Sequence, residues 1–265
     1  MTKRIIVVPD VHGRTFWKEP VMRCLDEVDR VVFLGDYLDP YPDEAGVAED
    51  IFANFIEIIS LKQHNMEKVI LLKGNHDQHY SSNTFYRLAG GSRLDKAHWQ
   101  KYHDTFNDYK DLFKLAHIEV VNGITYLFSH AGLTPYWLNK VNAMMWKLVD
   151  REISVADPAI IDRINQLDDG VVGQEMLSII GKERSYIMGE KTGSVLWADV
   201  CEHPMPDVIA VYGLDKVFQV FGHTRLDGTV DDVFGFDHFA MIDSQKCFLI
   251  DEALDKKIVA MPPLT

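Results

Sequence analysis

The run Ile5-Ile6-Val7-Val8-Pro9-Asp10-Val11-His12-Gly13-Arg14 joins a short apolar segment to polar residues that follow it directly. Four consecutive apolar residues are too few for a helix and are typical of a strand that is buried on both faces. Asp10 and His12 occupy alternate positions of an extended segment, so their side chains point the same way and can bind one metal ion. The pair alone is weak evidence, because Asp-x-His occurs often by chance and Asp10 could instead cap a helix.

Two more strands of this kind are predicted at residues 31–34 and 69–72. Apolar residues at helical spacing fill the intervals, between residues 16 and 28 and more clearly between residues 47 and 61. The order β-α-β-α-β favours right-handed crossovers and a parallel sheet, whose ligands collect at the carboxyl ends of the strands. The sequence therefore predicts an α/β fold with its site at that edge.

An antiparallel element is predicted where two strand-like segments flank Asn122-Gly123. Residues 134–214 are mainly helical in pattern, and strands return at residues 217–221, 239–242, 247–250 and 258–261. The sequence has no linker-like or low-complexity stretch and no internal repeat. We therefore predict a single domain over residues 1–265 with a helical insertion over approximately residues 134–214.

The overall composition is that of an ordinary globular protein, with 47% hydrophobic and 25% charged residues among 265. Lys and Arg number 27 against 40 Asp and Glu, a formal net charge of −13, so long nucleic acid is disfavoured as a substrate. Three widely spaced cysteines predict no disulfide framework. With no signal-peptide pattern and no apolar run long enough for a membrane span, we expect a soluble cytoplasmic protein without membrane partners.

Five of the predicted strands end in polar residues that could bind metal. The blocks are Asp10-Val11-His12-Gly13, Gly35-Asp36-Tyr37-Leu38-Asp39, Lys73-Gly74-Asn75-His76-Asp77, Ser129-His130-Ala131-Gly132 and Gly222-His223-Thr224. Glycine lets the backbone turn sharply, so the following side chains can face a common crevice. Five independent coincidences are improbable, and the sequence therefore predicts a metal site.

These blocks, in this order, resemble those of the calcineurin-like metallophosphoesterases. Within that superfamily they are most similar to the PPP-type serine/threonine phosphatases and their bacterial and phage relatives, whose Leu-Trp-x-Asp segment resembles residues 196–199. The set of blocks is specific, although no single block is. The resemblance implies a four-layer αββα sandwich with mixed sheets and a dinuclear metal centre. Two divalent ions are expected, with manganese first and iron or zinc as alternatives.

The resemblance implies a metal-ligand set of six residues: Asp10, His12, Asp36, Asn75, His130 and His223. The first three would hold one ion, and the last three together with a bridging Asp36 would hold the other. A bridging carboxylate suits two ions roughly 3.5–4 Å apart, the separation that two-metal hydrolysis uses. The family's last block often has a second histidine where this chain has Arg225, so we expect the first ion to have a more open, water-filled shell.

The expected mechanism follows from charge. A water that bridges two dications loses its proton near neutral pH and attacks phosphorus in line. By resemblance, His76 protonates the departing alkoxide, a role that contributes ~10²–10⁴ in rate. Asp39 would hydrogen-bond His76 and keep it protonated and oriented. The alternative is that Asp39 merely starts a turn before Pro40.

Two departures from the family pattern concern the substrate. PPP enzymes have a phosphate-gripping arginine where this chain has Pro40, and Lys73 replaces the arginine that often precedes the third block. Lysine is a point charge rather than a bidentate fork. The candidate substrate-binding residues are Arg14, Lys73, Arg184 and Arg225, against the alternative that each is an ordinary surface residue.

Three functions follow as hypotheses. The first is a dimetal-dependent phosphomonoesterase that acts on a phosphoprotein or a small phosphorylated metabolite through a metal-bridging hydroxide. The second is a phosphodiesterase or dinucleoside polyphosphate hydrolase on the same scaffold. The third, a non-catalytic binding scaffold, is disfavoured because all six ligand positions are retained together with His76 and Asp39. The motifs do not define the leaving group, and the sequence does not predict the oligomeric state.

Overall fold

The computed structural model describes residues 2–44, 46–82, 93–148, 153–185, 189–203, 211–226 and 233–262. The chain divides into two compact units. The first unit comprises Met1–Lys114 with Ser244–Thr265, and the second comprises Leu115–Asp243. The single domain expected from the sequence stays a prediction.

Eleven strands are found in the described ranges: β1 (Arg4–Val8), β2 (Arg30–Phe33), β3 (Val69–Leu72), β4 (Phe113–Lys114), β5 (Ala116–Val121), β6 (Ile124–Ser129), β7 (Phe218–Phe221), β8 (Phe234–Phe236), β9 (Phe239–Met241), β10 (Phe248–Asp251) and β11 (Val259–Ala260). The α-helices in the same ranges are α1 (Lys18–Cys24), α2 (Ala48–His64), α3 (Asn75–Ser81), α4 (Trp99–Asp108), α5 (Pro135–Val141), α6 (Pro158–Asn165) and α7 (Val171–Leu177). The predicted order β-α-β-α-β is confirmed from β1 to β3.

The first unit contains a six-stranded mixed sheet with the order β11-β10-β1-β2-β3-β4. Strands β1 to β4 run parallel, and β10 pairs with β1 in the antiparallel sense. Val8 is opposite Phe33, and Phe33 is opposite Leu71, so β1, β2 and β3 end side by side. The polar residues that follow these three strands therefore emerge at one edge of the sheet.

Helix α2 covers one face of this sheet with an apolar stripe. Ile51, Phe55 and Ile58 recur at the i, i+4, i+7 spacing of a helix and are buried in the core of the unit. The ring of Phe55 lies 5.4 Å from that of Tyr37, which directly follows Asp36 in the chain. Burial of each large apolar side chain contributes roughly 1.5–3 kcal/mol. The core thus extends to the loop that carries the second polar block.

The second unit contains a five-stranded mixed sheet with the order β5-β6-β7-β9-β8. Its hairpin β5-β6 turns at Asn122 and Gly123, whose φ angles are +50° and +74°, as the predicted Asn-Gly turn requires. Strands β6, β7 and β9 run parallel, so His130 and His223 follow neighbouring strands at the same edge.

Helices α5, α6 and α7 occupy the first part of the segment expected to be a helical insertion. They pack on the sheet of the second unit through a core that includes Trp137, Leu138 and Ile164. Between residues 178 and 203, the described residues form turns and a short 3₁₀ helix at Val200–Glu202. Two mixed sheets with helices confirm the predicted α/β class. None of the described helices is both long and apolar enough to cross a lipid bilayer.

Candidate metal centre

The loops that follow β1 and β2 in the first unit are bonded to each other through their backbones. The N–H of His12 donates to the carbonyl of Asp36 over 2.6 Å, and the N–H of Gly13 donates to the carbonyl of Tyr37 over 2.9 Å. These bonds continue the pairing of the strands beyond their ends. The first two polar blocks are therefore held together by backbone atoms before any side chain contributes.

Four predicted site residues have left-handed backbone conformations. The φ angles are +46° at His12, +53° at Asp36, +58° at Asp39 and +68° at His223. Non-glycine residues rarely adopt such angles, which cost about 1–3 kcal/mol each and persist only where the surrounding structure enforces them. Strain of this kind gathers at functional sites, so the backbone supports the choice of these residues independently of their side chains.

Three of the predicted metal ligands converge in the first unit. The Nε2 atom of His12 lies 3.5 Å from Oδ2 of Asp36 and 4.0 Å from Oδ2 of Asp10, and all three side chains are buried. The Nδ1–H of His12 donates to the carbonyl of Leu38 over 3.1 Å. That bond leaves Nε2 as the unprotonated nitrogen that faces the carboxylates, which is the form that binds a metal.

The electrostatics of this group favour a cation. Burial, followed by the charges of Asp10 and Asp77, raises the pKa of Asp36 well above its ordinary value. Burial lowers the pKa of His12 well below its ordinary value, so the imidazole is neutral at pH 7. Two buried acids beside a neutral imidazole are a costly arrangement that a divalent ion relieves. Carboxylate and imidazole donors suit manganese, iron or zinc, so the residues present fit the expected metal.

Asp77, at the end of the third polar block, forms hydrogen bonds that join this block to the second block at Asp36 and Tyr37. Its buried carboxylate accepts hydrogen bonds from the backbone N–H groups of Gly74 and Asp36, both over 2.8 Å, and of Tyr37 over 3.0 Å. A Cβ atom at position 74 would collide with the carboxylate of Asp36, so glycine is required for this close approach. This role of Asp77 was not expected from the sequence, because two of its three partners, Asp36 and Tyr37, lie in another block.

Helix α3 places two predicted residues against the second block. Asn75 and His76 are its first residues and are buried. The N–H of His76 donates to Oδ1 of Asp36 over 2.9 Å. The hydrogen bond from His76 thus fixes Oδ1 of Asp36. The second oxygen, Oδ2, lies 3.5 Å from Nε2 of His12.

The expected pairing of His76 with Asp39 is present. Nδ1 of His76 lies 2.9 Å from Oδ2 of Asp39. The other oxygen of Asp39 accepts a hydrogen bond from the hydroxyl of Tyr80, which in turn accepts one from the N–H of Asp95 over 2.9 Å. His79 is also close, since its ligand atom and those of Asp39 and His76 all lie within 4.8 Å of one another. Tyr80 and Asp95 were not expected from the sequence.

Burial dominates the pKa values of this pair. Burial raises the pKa of Asp39 to about 7. Burial, and then the charge of Arg93, lowers the pKa of His76 to about 3. With the protein's own groups alone, His76 is therefore a neutral imidazole at pH 7, because a buried ring beside a cation disfavours a second positive charge. The contact with Asp39 orients His76, and its expected part in keeping the ring protonated stays a prediction.

Arg93 is a further residue of this region that the sequence analysis did not identify. Its Nη2 atom lies 3.2 Å from Nε2 of His76, and its guanidinium carbon lies 3.6 Å from the centre of the Tyr41 ring. No local pattern in the sequence connects position 93 with the polar blocks. Arg93 comes close to His76 only in the folded chain.

In the second unit, His130 and His223 are brought together. Nε2 of His130 lies 3.1 Å from Nδ1 of His223, and both rings are buried. The N–H of Gly222 donates to the carbonyl of His130 over 2.8 Å, which joins the two blocks through the backbone. Two imidazole nitrogens at this distance can serve one metal ion.

His203 supports both blocks of the second unit. Its Nε2–H donates to the carbonyl of Ala131 over 2.9 Å, and its ring stacks on Phe221 at 4.5 Å. Gly132 has a φ of +83°, and a Cβ atom there would collide with the His203 ring. His203 was not expected either, because its partners lie far away along the chain.

The candidate substrate-binding residues have different surroundings. In the first unit, Arg14 pairs with Glu44 over 2.6 Å and donates to the carbonyl of Asp10 over 3.3 Å, and Lys73 is buried. In the second unit, Arg184 pairs with Asp199 over 2.9 Å and donates to the hydroxyl of Thr224 over 2.6 Å. Arg225 is exposed. Arg14 and Arg184 are therefore next to predicted ligands but are already paired with carboxylates.

Comparison with known proteins gives one family match. The model for calcineurin-like phosphoesterases matches residues 3–227. A solved structure of a protein serine/threonine phosphatase from Saccharomyces cerevisiae, with similarity to human phosphatase PP5, is 15% identical and covers 99% of this chain and 81% of its own, with a TM-score of 0.52. This likeness concerns the fold.

Two further results carry no argument about function. A metallophosphoesterase from Sphaerobacter thermophilus is 18% identical over 51% of this chain and 49% of its own, with a TM-score of only 0.27. No curated protein matches the sequence significantly.

Proposed function

Since the chain belongs to the calcineurin-like phosphoesterase family, we propose that it hydrolyses phosphomonoesters of a phosphoprotein or of a small phosphorylated metabolite. It is an enzyme, a metal-dependent phosphoesterase with phosphorylated substrates. The observation that carries the proposal is the hydrogen bond between His76 and Asp39 beside the buried group of Asp10, His12 and Asp36. An oriented acid next to a cation site is what cleavage of a phosphate ester requires.

Two divalent ions, manganese first, are proposed as cofactors. Asp10, His12 and Asp36 would hold one ion, and Asp36 would share the other with three residues: Asn75, His130 and His223. The convergence of three donors in the first unit and of two imidazoles in the second supports this assignment. When bound, the ions would activate a water molecule and neutralise the phosphoryl oxygens.

His76 is proposed to deliver a proton to the departing ester oxygen. Its Nδ1–H is engaged with Asp39, so Nε2, which accepts a hydrogen bond from Arg93 while the ring is neutral, would have to take up the proton and give up that bond to reach the substrate. A bound phosphoryl dianion favours a positive charge next to it, and so opposes the effect of burial on the pKa of His76. Asp39, held in turn by Tyr80, keeps the ring in one orientation during the transfer.

The proposal is tested with protein that has been stripped of metal and reloaded with Mn²⁺. Initial rates are measured on an aryl phosphomonoester and on the corresponding bis-aryl phosphodiester, with buffer containing Mn²⁺ as the blank. We expect turnover of the monoester to exceed that of the diester. The reverse preference would establish the phosphodiesterase alternative, and turnover of neither ester would favour a binding scaffold.

The class of monoester is resolved by a second assay. The assay compares four substrate classes at equal concentration: phosphopeptides, nucleotides, dinucleoside polyphosphates and small sugar phosphates. Hydrolysis is followed through the release of inorganic phosphate or, for the dinucleoside polyphosphates, of the nucleotide products. Selective hydrolysis of phosphopeptides indicates a protein phosphatase, and selective hydrolysis of sugar phosphates indicates a metabolite phosphatase. Exclusive cleavage of dinucleoside polyphosphates would overturn the phosphomonoesterase assignment.

A further inference from the structure

Arg93 presents a cation directly to the proposed proton donor. Its Nη2 donates to Nε2 of His76 over 3.2 Å, and this is the nitrogen that Asp39 leaves available. Its guanidinium lies on the Tyr41 ring, with 3.6 Å from the guanidinium carbon to the ring centre. The Tyr41 ring in turn contacts His12 edge-on at 4.9 Å. Arg93 therefore contacts the proposed proton donor directly and reaches the metal-ligand group of the first unit through Tyr41.

The charge of Arg93 acts on Asp39 and Asp36 through space, but among the residues that the structure describes Arg93 forms no ion pair of the kind that Arg14 and Arg184 form. Arg14 is paired with Glu44, and Arg184 is paired with Asp199. Within the described part of the chain, the contacts of the Arg93 guanidinium are a neutral imidazole and an aromatic ring, and no carboxylate forms an ion pair with it. Its Nη1 atom is buried and has no hydrogen-bond partner among the described residues. A buried donor without a partner is costly unless an acceptor binds there, and the oxygens of an anion are acceptors that suit a guanidinium.

We propose that Arg93 binds the phosphoryl group of the substrate, with Nη1 donating to a nonbridging oxygen. This inference rests on the proposed function of the site. A guanidinium offers a planar fork of N–H groups that matches phosphate oxygens, whereas an ammonium acts as a point charge. The sequence has Pro40 where related enzymes have a phosphate-gripping arginine, and Arg93 supplies an equivalent charge from a different part of the chain.

The position of Arg93 also has a consequence for substrate class. A phosphomonoester is a dianion near neutral pH, whereas a phosphodiester is a monoanion with one fewer oxygen available to a donor. An additional guanidinium therefore favours the monoester over the diester. Tyr41 acts as a positioning residue, because its ring holds the plane of the guanidinium beside His76.

The test compares Arg93→Gln and Arg93→Lys with wild type, and uses Arg23→Gln as the matched control. Arg23 is an exposed arginine on α1 that pairs with Glu19 and belongs to none of the polar blocks. Inorganic phosphate binding to the Mn²⁺-loaded proteins is measured by calorimetry, and KM and kcat are measured on the aryl monoester and diester. Loss of a charge-assisted hydrogen bond predicts an increase of about tenfold to a hundredfold in the Kd for phosphate and in KM for the monoester.

The expected pattern has three further parts. Arg93→Lys restores only part of the affinity, KM for the diester changes less than KM for the monoester, and metal content stays at the wild-type value. Arg23→Gln leaves all constants unchanged. Unchanged phosphate affinity and unchanged monoester KM in Arg93→Gln would overturn the inference, as would a wild-type protein that does not bind phosphate. If phosphate binding depends on Arg93 but no ester is hydrolysed, the proposed function fails and the anion site stands.

Discussion

Nδ1 of His76 lies 2.9 Å from Oδ2 of Asp39, although the two residues are 37 positions apart in the chain. The second oxygen of Asp39 is occupied by the hydroxyl of Tyr80, so the carboxylate has little freedom to rotate. The imidazole is consequently held with Nε2 directed away from Asp39 and towards Arg93. This arrangement separates the orientation of His76 from the binding of metal, and the two can be perturbed independently.

Replacement of His76 is expected to impair chemistry and to spare metal binding. His76→Asn removes the proton donor, and we expect kcat on an aryl phosphomonoester to fall by ~10²–10⁴-fold. Manganese content, measured by plasma mass spectrometry after dialysis, should stay close to the wild-type value. If the variant instead loses its metal, His76 is a ligand and the proton-donor assignment is wrong.

Loss of the Tyr80 hydroxyl tests whether the orientation of Asp39 matters. Tyr80→Phe removes the hydrogen bond to Asp39 and leaves an aromatic ring in the core. We expect kcat to fall by about threefold to tenfold, in keeping with about 1 kcal/mol for one hydrogen bond, with KM unchanged. Tyr109→Phe is the control, since Tyr109 is a partly buried tyrosine that packs against the same core. Equal kcat values in Tyr80→Phe and wild type would show that the orientation of His76 does not depend on the Tyr80 hydroxyl.

Replacement of Asp36 should affect metal and activity together. Asp36→Asn keeps an oxygen that can accept the His76 N–H bond but removes the negative charge proposed to bridge the two ions. We expect loss of activity together with loss of bound manganese, because an amide is a much weaker ligand than a carboxylate. Asp26→Asn, an exposed aspartate in the same unit, serves as the control. Full metal content in Asp36→Asn would contradict the bridging assignment.

Asp77 is expected to contribute to stability rather than to chemistry. Asp77→Asn replaces one acceptor oxygen by an amide NH2 group that faces backbone N–H donors. At least one of the three hydrogen bonds is then lost and replaced by a repulsive contact between two donors. The free energy of unfolding should fall by about 2–4 kcal/mol. Urea denaturation measures the change, and Asp26→Asn again provides the reference. A difference below about 0.5 kcal/mol, the usual range of surface substitutions, would show that the two loops are held together by other contacts.

The buried ring of His203 makes stability dependent on pH. Burial lowers the pKa of His203 from 6.5 to about 4. Because the folded state holds the proton less tightly than the unfolded state, stability falls as the pH falls from 6.5 to about 4, by up to about 3 kcal/mol. His203→Gln keeps a side-chain N–H that can reach Ala131 and removes the titration. Its unfolding free energy should decline less than that of wild type between pH 7 and pH 4.5, and parallel curves would refute this origin of the pH dependence.

The elements nearest to the site could be predicted from the sequence because their signals are local. Strand β3 was predicted with its observed bounds, and the Asn122-Gly123 turn has the positive φ angles that this dipeptide favours. The polar blocks could be found because each one directly follows a short apolar run. The identity of the six proposed ligands came from the order of these blocks, which the family shares.

The supporting residues could not be found in this way. Asp77 reaches Asp36 across 41 positions, Tyr80 reaches Asp39 across 41 positions, and His203 reaches Ala131 across 72 positions. No sequence pattern around a single aspartate, tyrosine or histidine predicts a hydrogen-bond partner that is so far away along the chain. The causes that lower the pKa of His76 were also inaccessible from the sequence, because burial and the charge of Arg93 are properties of the folded surroundings.

The sequence by itself therefore determined the order of strands and helices, the turns and the places where polar residues leave the sheets, since apolar periodicity and backbone preferences act over a few neighbouring residues. Only the tertiary structure decided that Arg93 contacts His76. It also decided that Glu44 and Asp199 are paired with Arg14 and Arg184. Hydrogen bonds and charges act over short distances in space, such as the 3.2 Å between Nη2 of Arg93 and Nε2 of His76. Residues far apart in the sequence come this close only in the folded chain.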